Sequence, residues 1–400
     1  MRRVLVLINN SGVGGTERRL GRLFASLAKD EKATVFVLNR RLWDKLVAGG
    51  LISPDERHVI RLAEPFEWLS RALPWLNEQT RFWIRKLDYL GMAGWLLLRY
   101  GFCAPHLFHV VLGGAYVALP LMAMRRDHRY VTSVTDHNLG GQIGFLRGFW
   151  WLLKAVKHSH AVDALTEGIA TSLVREGVDA GTICYSQGSV VDITQFHPAE
   201  VKSSWVVFAG RLVEEKNPLL FLEAVSIIDQ AVPGVKYFVL GEGPLKQAIQ
   251  DAVRHCRLGT AITTGFVENL APILAQARIF VSLQKRDNYP SQALLEAMAS
   301  GAAIVATDVG MTWRLVDETT GIRVKQTAES VASAVIELLR QPDRCQLLGQ
   351  AARRRVSEYH SEGRYRNYLR DLHGRVDTTQ HRGRSRFTGK PSAGASVPKS

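Results

Sequence analysis

Short apolar runs alternate with longer stretches of helical periodicity along most of the chain. In the first half, "RVLVLIN" (3–9), "TVFVL" (34–38), "HVIRL" (58–62), "LFHVVL" (107–112), "YVTSVT" (130–135), "VDALT" (162–166) and "TICYS" (182–186) predict strands. Several are apolar at successive positions rather than alternate ones, which fits strands covered on both faces inside a parallel sheet. The alternation restarts after residue 200 with "WVVFAG" (205–210), "VKYFVLG" (235–241), "AITTG" (261–265), "RIFVSL" (278–283) and "AAIVATD" (302–308). Two βα arrays in succession predict an α/β chain of two Rossmann-like, doubly wound domains facing a cleft. The stretch "FHPAEVKSS" (196–204) reads as the linker, giving domains over 1–196 and 197–373, the last helix being free to pack back on the first domain. Ligands of such sheets lie beyond the C-terminal ends of the strands, so the chemistry is expected in the loops that follow them.

Composition supports this outline at 46% hydrophobic and 22% charged residues over 400 positions. That length exceeds one ordinary core and suits two domains with an extension. Residues 374–400, rich in Gly, Ser and Arg and without apolar periodicity, are expected to be a disordered basic tail. The apolar stretch 107–124 approaches the length of a membrane span but contains His109, Gly113, Gly114 and Pro120. A strand, a glycine turn and a helix account for it more economically. Residues 66–101 differ in character, setting Trp68, Trp75, Trp83, Tyr89 and Trp95 beside Arg71, Arg81, Arg85 and Lys86. Two readings stay open there: helices lying against an anionic membrane surface, and helices packing aromatic faces on the sheet.

The net charge of +14 is spread along the chain, with a concentrated piece in the tail. Diffuse basic charge suits anionic ligands or an anionic membrane. No helix-turn-helix, zinc-finger or RNA-binding signature accompanies it, and nucleic acid is not expected as a partner. The four cysteines form no CxxC pair, so neither a zinc site nor a disulfide framework is expected. The opening "MRRVLVLINNSGVGG" reads as a first strand rather than a signal peptide, and the expected location is the cytoplasm.

Three stretches carry candidate chemistry. "NNSGVGGTERRL" (9–20) follows the first strand and opens a helix; Gly12, Gly14 and Gly15 let backbone N–H groups approach a phosphate closely. It is neither a GxGxxG fingerprint nor a P-loop. "FAGRLVEEKNPLLFLEA" (208–224) ends another strand, with Asn217 and Pro218 reading as the cap and first residue of a helix. Arg211 and Lys216 are thereby left on the loop, where two cations can neutralise a diphosphate, or else pair with Glu214 and Glu215. In "RDNYPSQALLEAMASG" (286–301), Pro290 is expected to begin a helix, and Glu296 is the one charged residue from Asn288 through Thr307. A carboxylate in apolar surroundings is costly unless hydrogen-bonded, and a pair of ribose hydroxyls could satisfy it.

Taken together, these motifs resemble those of the GT-B glycosyltransferases, specifically the large retaining group called family 4. "GVGGTERRL" is similar to that family's glycine loop, "GRLVEEKNP" to its diphosphate-binding segment and "LGEGPLKQAI" (240–249) to its G-x-G-P turn. "TGFVENLAPILAQARIFVSL" and "NYPSQALLEAMASGAAIVATDVG" complete the pattern of its C-terminal domain. The resemblance implies that Arg211 and Lys216 bind the donor diphosphate and meet the charge of the leaving group. It implies that Glu296 holds the ribose, with Tyr289, Pro290 and Ser291 on the same donor-binding loop. Gly265, Phe266 and Val267 would flank the nucleobase, the amides of Gly14 and Gly15 would approach phosphate or sugar, and His137 would lie at a strand end beneath the sugar. Two departures stand out. The family pattern is an acid, seven intervening residues, then a Glu, matched here by Glu296, and the place of the first acid is taken by Asn288; "CYSQGSVVDITQFHP" (184–198) also differs from the family's Asn-Gly-Val-Asp.

The resemblance implies transfer of a hexose from a UDP- or GDP-linked sugar to a hydroxyl of a saccharide or lipid-linked acceptor, with retention. The setting it implies is cell-surface polysaccharide or lipopolysaccharide biosynthesis at the inner face of the cytoplasmic membrane. Neither a metal nor another cofactor is expected. A sugar-nucleotide epimerase of the same fold, and an inactive nucleotide-sugar-binding relative, remain as alternatives.

Overall fold

The apolar runs assemble into two separate parallel sheets. The computed structural model describes residues 4–9, 33–48, 52–55, 57–62, 64–66, 72–73, 75, 77–101, 106–111, 114–124, 128–134, 150–185, 189–255, 262–267 and 269–378. Contacts divide the chain into two compact units, Met1–Gln187 with Arg366–Ser400, and Gly188–Tyr365.

In the first unit, β1 (Val4–Ile8), β2 (Thr34–Val37), β3 (Val59–Arg61), β4 (Leu107–Val111), β5 (Arg129–Val134), β6 (Ala161–Ala164) and β7 (Ile183–Tyr185) form a sheet in the order β3-β2-β1-β4-β5-β6-β7. Leu5 to Ile8 lie opposite Thr34 to Val37, and Val4 to Leu7 opposite Leu107 to Val110. All four β2 residues and all five of β4 are buried, as the successive apolar positions predict for strands covered on both faces. Leu5, Leu7, Phe36, Phe108 and Val110 pack with Met92, Leu96, Ala115 and Leu121 from the covering helices.

The stretch considered as a span resolves into β4 followed by the helix Ala115–Met124, which carries Pro120 inside it. Among the described residues no helix is long and apolar enough to cross a membrane. The helix Glu78–Leu96 begins at Asn77, whose Oδ1 accepts from the Thr80 amide at 2.8 Å, and passes into a π-helical turn, Leu97–Gly101. Ile84, Met92, Ala93 and Leu96 face the core, whereas Leu87, Leu90 and Leu98 are exposed.

The last helix, Glu362–Thr378, buries Tyr365, Leu369, Leu372 and Val376, a stripe at helical spacing. Its polar residues extend a buried network across three neighbouring strands. His373 Nε2 lies 2.8 Å from His109 Nδ1, and His109 Nε2 lies 2.7 Å from Ser133 Oγ. Ser133 donates to Asp163 at 2.7 Å, and the Tyr368 hydroxyl donates to the other oxygen of that carboxylate at 2.9 Å. Burial lowers the His109 pKa well below the usual imidazole range, with His373 acting in the same direction. The expected tail thus starts too early, because residues 374–378 continue the helix; positions 379–400 lie outside the described residues.

In the second unit, β8 (Ser203–Ala209), β9 (Lys236–Leu240), β10 (Ile262–Gly265), β11 (Ala277–Ser282), β12 (Ala303–Thr307) and β13 (Gly321–Val324) form a sheet in the order β10-β9-β8-β11-β12-β13. Strand β13 is not among those predicted from the sequence. Its "GIRV" is short, and Arg323 points out to Asp308 at 2.7 Å, so an edge strand hides among polar residues. The chain reverses its direction of progress between β8 and β11, which pair directly. Such a switch point leaves a crevice beyond the strand ends.

Candidate active site

The loops that follow β8, β9, β10, β11 and β12 all emerge at the C-terminal edge of the second sheet. After β8 the chain makes a tight excursion around Gly210 to Lys216. The turn after β9 packs directly beneath it: the Leu212 amide donates to the Glu242 carbonyl at 2.8 Å and the Leu245 amide to the Leu212 carbonyl at 3.0 Å. Gly241 and Gly243 have φ of +148° and +159°, and a Cβ on either would overlap the carbonyl oxygen of Gly210 or Leu212. Glycine is therefore required twice in "GEGP" by the approach of one loop to another.

This support holds two cations near each other. Arg211 is exposed, and among the described residues its guanidinium has no hydrogen-bond or ion-pair partner. Lys216 is half-buried and donates to the neutral Gln284 Oε1 at 2.9 Å. Burial pushes the Lys216 ammonium down to about 8, Arg211 beside it acts in the same direction, and Glu215 opposes them. The alternative ion pairs are not what forms among the described residues: Glu214 faces Lys285 at 3.5 Å, and Glu215 acts on Lys216 without an ion-pair contact. Two like charges at a strand edge, with no ion-pair partner among the described residues, suit an anion.

Gln284 is held from both sides. Its side-chain Nε2 donates to Ser282 Oγ at 3.3 Å, and its backbone carbonyl accepts from Thr307 Oγ1 at 2.7 Å. The Lys216 contact therefore ties the loops beyond β8, β11 and β12 across the switch point. Sequence reading missed Gln284, because nothing local marks a side chain whose role is to receive a lysine from 68 positions away.

Asn217 and Pro218 open the helix Pro218–Ala231 as predicted, but Asn217 sits in the left-handed region at φ 53° and makes no side-chain cap bond. Pro290 does not begin the following site helix, which spans Gln292–Ala299 with Ser291 in the cap position. Tyr289 and Pro290 instead complete the loop before it, both buried. Asp287 shapes that loop by accepting from the Tyr289 amide at 3.2 Å and the Met311 amide at 3.1 Å. Asn288 is half-buried, and among the described residues no hydrogen bond engages its side chain. Burial raises the Tyr289 pKa, against the pull of Arg314 and with the help of Asp287.

Glu296 is half-buried one turn into this helix, and Gln292 Nε2 donates to its Oε1 at 3.1 Å. Its apolar setting comes from Leu294, Leu295, Ala297 and Met298, all buried. Beyond β10, Gly265 turns at φ +145° and accepts from the Gly241 amide at 2.9 Å. Phe266 next to it is 56% exposed, presenting a bare ring at the strand edge, while Val267 packs on the core. Arg211, Lys216, Gly265, Phe266, Val267, Asn288, Tyr289, Pro290, Ser291 and Glu296 thus stand on loops and a helix at one edge of one sheet. Gly14, Gly15 and His137 lie outside the described residues. No group of three or more His, Cys, Asp or Glu among the described residues could hold a metal ion.

The description "Glycosyl transferases group 1" matches residues 203–341, the stretch that carries this edge. Residues 203–341 belong to that family. The fold agrees across almost the whole chain. Anabaena HepE in complex with UDP superposes with a TM-score of 0.72 at 13% identity, covering 94% of this chain and 100% of that one. A sucrose-phosphate synthase from Thermosynechococcus elongatus gives 0.68 at 17% identity, covering 95% and 100%. The two parallel sheets match GT-B structures, and the group 1 match covers the second of them.

Among curated relatives, a GDP-mannose-dependent alpha-(1-6)-phosphatidylinositol dimannoside mannosyltransferase of Mycobacterium tuberculosis is 26% identical over 171 residues. The match takes in 38% of this chain and 43% of that protein, so the chain spans less than half the length of this relative. An alpha-1,4-N-acetyl-D-galactosaminyltransferase of Campylobacter jejuni, acting on an undecaprenol-linked saccharide by its name, is 31% identical over 90 residues, 22% of this chain and 24% of that one. In this group 1 domain, the cations after β8 and the carboxylate after β11 are the features on which a functional reading rests.

Proposed function

We propose that the protein is a hexosyltransferase that moves a sugar from a nucleoside diphosphate to a hydroxyl of a saccharide or lipid-linked acceptor. The observation that carries this reading is the pair Arg211 and Lys216, without an ion-pair partner among the described residues, Lys216 being held across the switch point by Gln284. As the glycosidic bond breaks, charge accumulates on the departing diphosphate, and fixed cations aimed at it lower the barrier. Glu296 accepts from the ribose hydroxyls, and Phe266 offers a face to the base. Asn288, where the family resemblance calls for an acid, contacts the sugar through an amide that both donates and accepts. The reaction runs with retention and without a resident metal, the cations meeting the leaving-group charge.

The names of the relatives support a UDP- or GDP-linked donor and a glycolipid or lipid-linked acceptor. The undecaprenol-linked saccharide in one of those names fits the further proposal of a role in cell-surface polysaccharide or lipopolysaccharide assembly. Peripheral contact with the inner face of the cytoplasmic membrane is supported by the exposed Leu87, Leu90, Trp95 and Leu98 within residues 66–101. An epimerase is not favoured, since among the described residues the site edge offers no acid and base pair around a sugar.

The test is to offer the purified protein UDP-, GDP- and ADP-sugars with and without saccharide and polyprenyl-linked acceptors, and to follow nucleotide release and the fate of the sugar. Acceptor-dependent release from one donor class is expected. Epimerised donor without transfer, or no turnover with any donor, would refute the reading.

A further inference from the structure

The chain passes between its two units twice, at Gln187 to Gly188 and at Tyr365 to Arg366. Within the second unit the two passages lie side by side. Val191 and Ser361 form a parallel bridge, the Val191 amide donates to the His360 carbonyl at 2.8 Å, and the Glu362 amide donates to the Val191 carbonyl at 3.2 Å. His360 Nδ1 adds a contact of 3.0 Å with the Ser189 carbonyl. Ser189, Val190, Val191 and His360 are all buried, so this strap is part of the unit's interior rather than a loose tether.

One side chain joins the strap to the proposed nucleotide site. Gln292 Nε2 donates to the Val190 carbonyl at 3.2 Å and to Glu296 Oε1 at 3.1 Å. Both neighbours are pure acceptors, so the amide orientation is fixed and its two N–H bonds are both used. Among the described residues the Gln292 Oε1 atom is buried with no hydrogen-bond partner, a cost accepted in holding the nitrogen between strap and carboxylate. Gln292 and Glu296 stand four positions apart, on one face of the helix Gln292–Ala299. The ring of Tyr289, from the loop before that helix, also meets His360 edge-on at 6.5 Å.

We infer that Gln292 is a positioning residue that aims the Glu296 carboxylate and couples nucleotide binding at that carboxylate to the strap formed by residues 189–191 and 360–362. This inference rests on the reading of Glu296 as the ribose acceptor. With Gln292 in place, the carboxylate enters the site already oriented, and ribose hydroxyls donating to it tighten the same hydrogen-bonded line that ends at Val190. Without Gln292 the carboxylate loses this donor and the strap its link to the site, so the strap no longer senses occupancy.

Hydrogen–deuterium exchange of the full chain, with and without UDP or GDP, tests this beside nucleotide titration of Gln292→Met. In the wild type, the nucleotide that binds is expected to slow exchange at 189–191 and 360–362. Gln292→Met is expected to weaken that nucleotide about tenfold, raise KM more than it lowers kcat, and abolish the occupancy-dependent change at the strap, while its melting temperature shows it folded. Gln292→Ser supplies the same readout should the thioether prevent folding. A variant that binds as the wild type does, with the strap response intact, overturns the coupling and leaves the site reading standing. Failure of the wild type to bind either nucleotide overturns both.

Discussion

The Lys216 ammonium and the Gln284 amide oxygen, 2.9 Å apart, link the loops after two strands that pair directly at the switch point of the second sheet. A neutral partner orients the ammonium without discharging it, which leaves its charge for a ligand.

Replacing Lys216 by alanine is therefore expected to lower kcat/KM about 100-fold, the usual scale for losing one group that meets transition-state charge. Replacing Arg211 has a similar effect. The pH dependence has a definite sign. Free Lys216 loses its proton near about 8. An anionic diphosphate prefers the protonated form, so affinity falls as pH rises above that value, by up to about tenfold per unit. Lys216→Met flattens this dependence, and titration of UDP or GDP between pH 7 and 10 shows it.

Gly241 predicts a stability effect separate from chemistry. A Cβ there would overlap the Gly210 carbonyl oxygen, which belongs to backbone and has no rotamer to yield. Gly241→Ala is expected to cost at least about 2 kcal/mol, the scale of a forced backbone shift in a packed core. Urea unfolding followed by circular dichroism measures it, and an unchanged midpoint would contradict the packing described.

Much of this arrangement can be read from the chain. Strands such as "KYFVL" and "ARIFVS" announce themselves because burial on both faces demands unbroken apolar residues. The "GEGP" turn and the Arg211 to Lys216 loop are legible because their glycines and cations answer to local geometry. What escapes is non-local or masked by polarity. Strand β13 carries an outward Arg323 bound to Asp308, and the helix Gln292–Ala299 starts two residues past Pro290. Gln284 and Gln292 look like ordinary surface amides until the fold brings Lys216 and Val190 to them. For Gln292 a signal did exist, its spacing of four from Glu296.

Acid pH is expected to destabilise the protein through its buried histidines. Burial takes His360 down to about 4, against the bond to the Ser189 carbonyl, which acts to raise it. The folded value lies below the unfolded one, so the unfolded chain takes the proton first. The contribution is complete above about pH 6.5 and is lost as pH falls toward about 4, on the order of 3 kcal/mol for this residue. His109 shifts in the same direction. Denaturation at pH 7.5 and 4.5 measures the loss, and His360→Gln is expected to reduce it.

The exposed apolar residues of the helix Glu78–Leu96 and the turn after it give a membrane prediction. Leu90 is 56% exposed and Leu98 77%. Changing both to aspartate is expected to lower co-sedimentation with phosphatidylglycerol vesicles at least about tenfold while leaving thermal stability within about 0.5 kcal/mol, since neither side chain is in the core. Equal sedimentation of variant and wild type would remove this face from the account.

The central claim is that the edge of the second sheet binds a nucleoside diphosphate sugar through Arg211, Lys216 and Glu296. Calorimetric titration of the wild type and Glu296→Ala with UDP- and GDP-sugars tests it most directly. The account predicts binding of one donor class by the wild type and a loss of about tenfold or more in the variant, the scale of a charged hydrogen-bonding group removed from a ligand. Equal affinity in the two proteins, or no binding to the wild type, would contradict it.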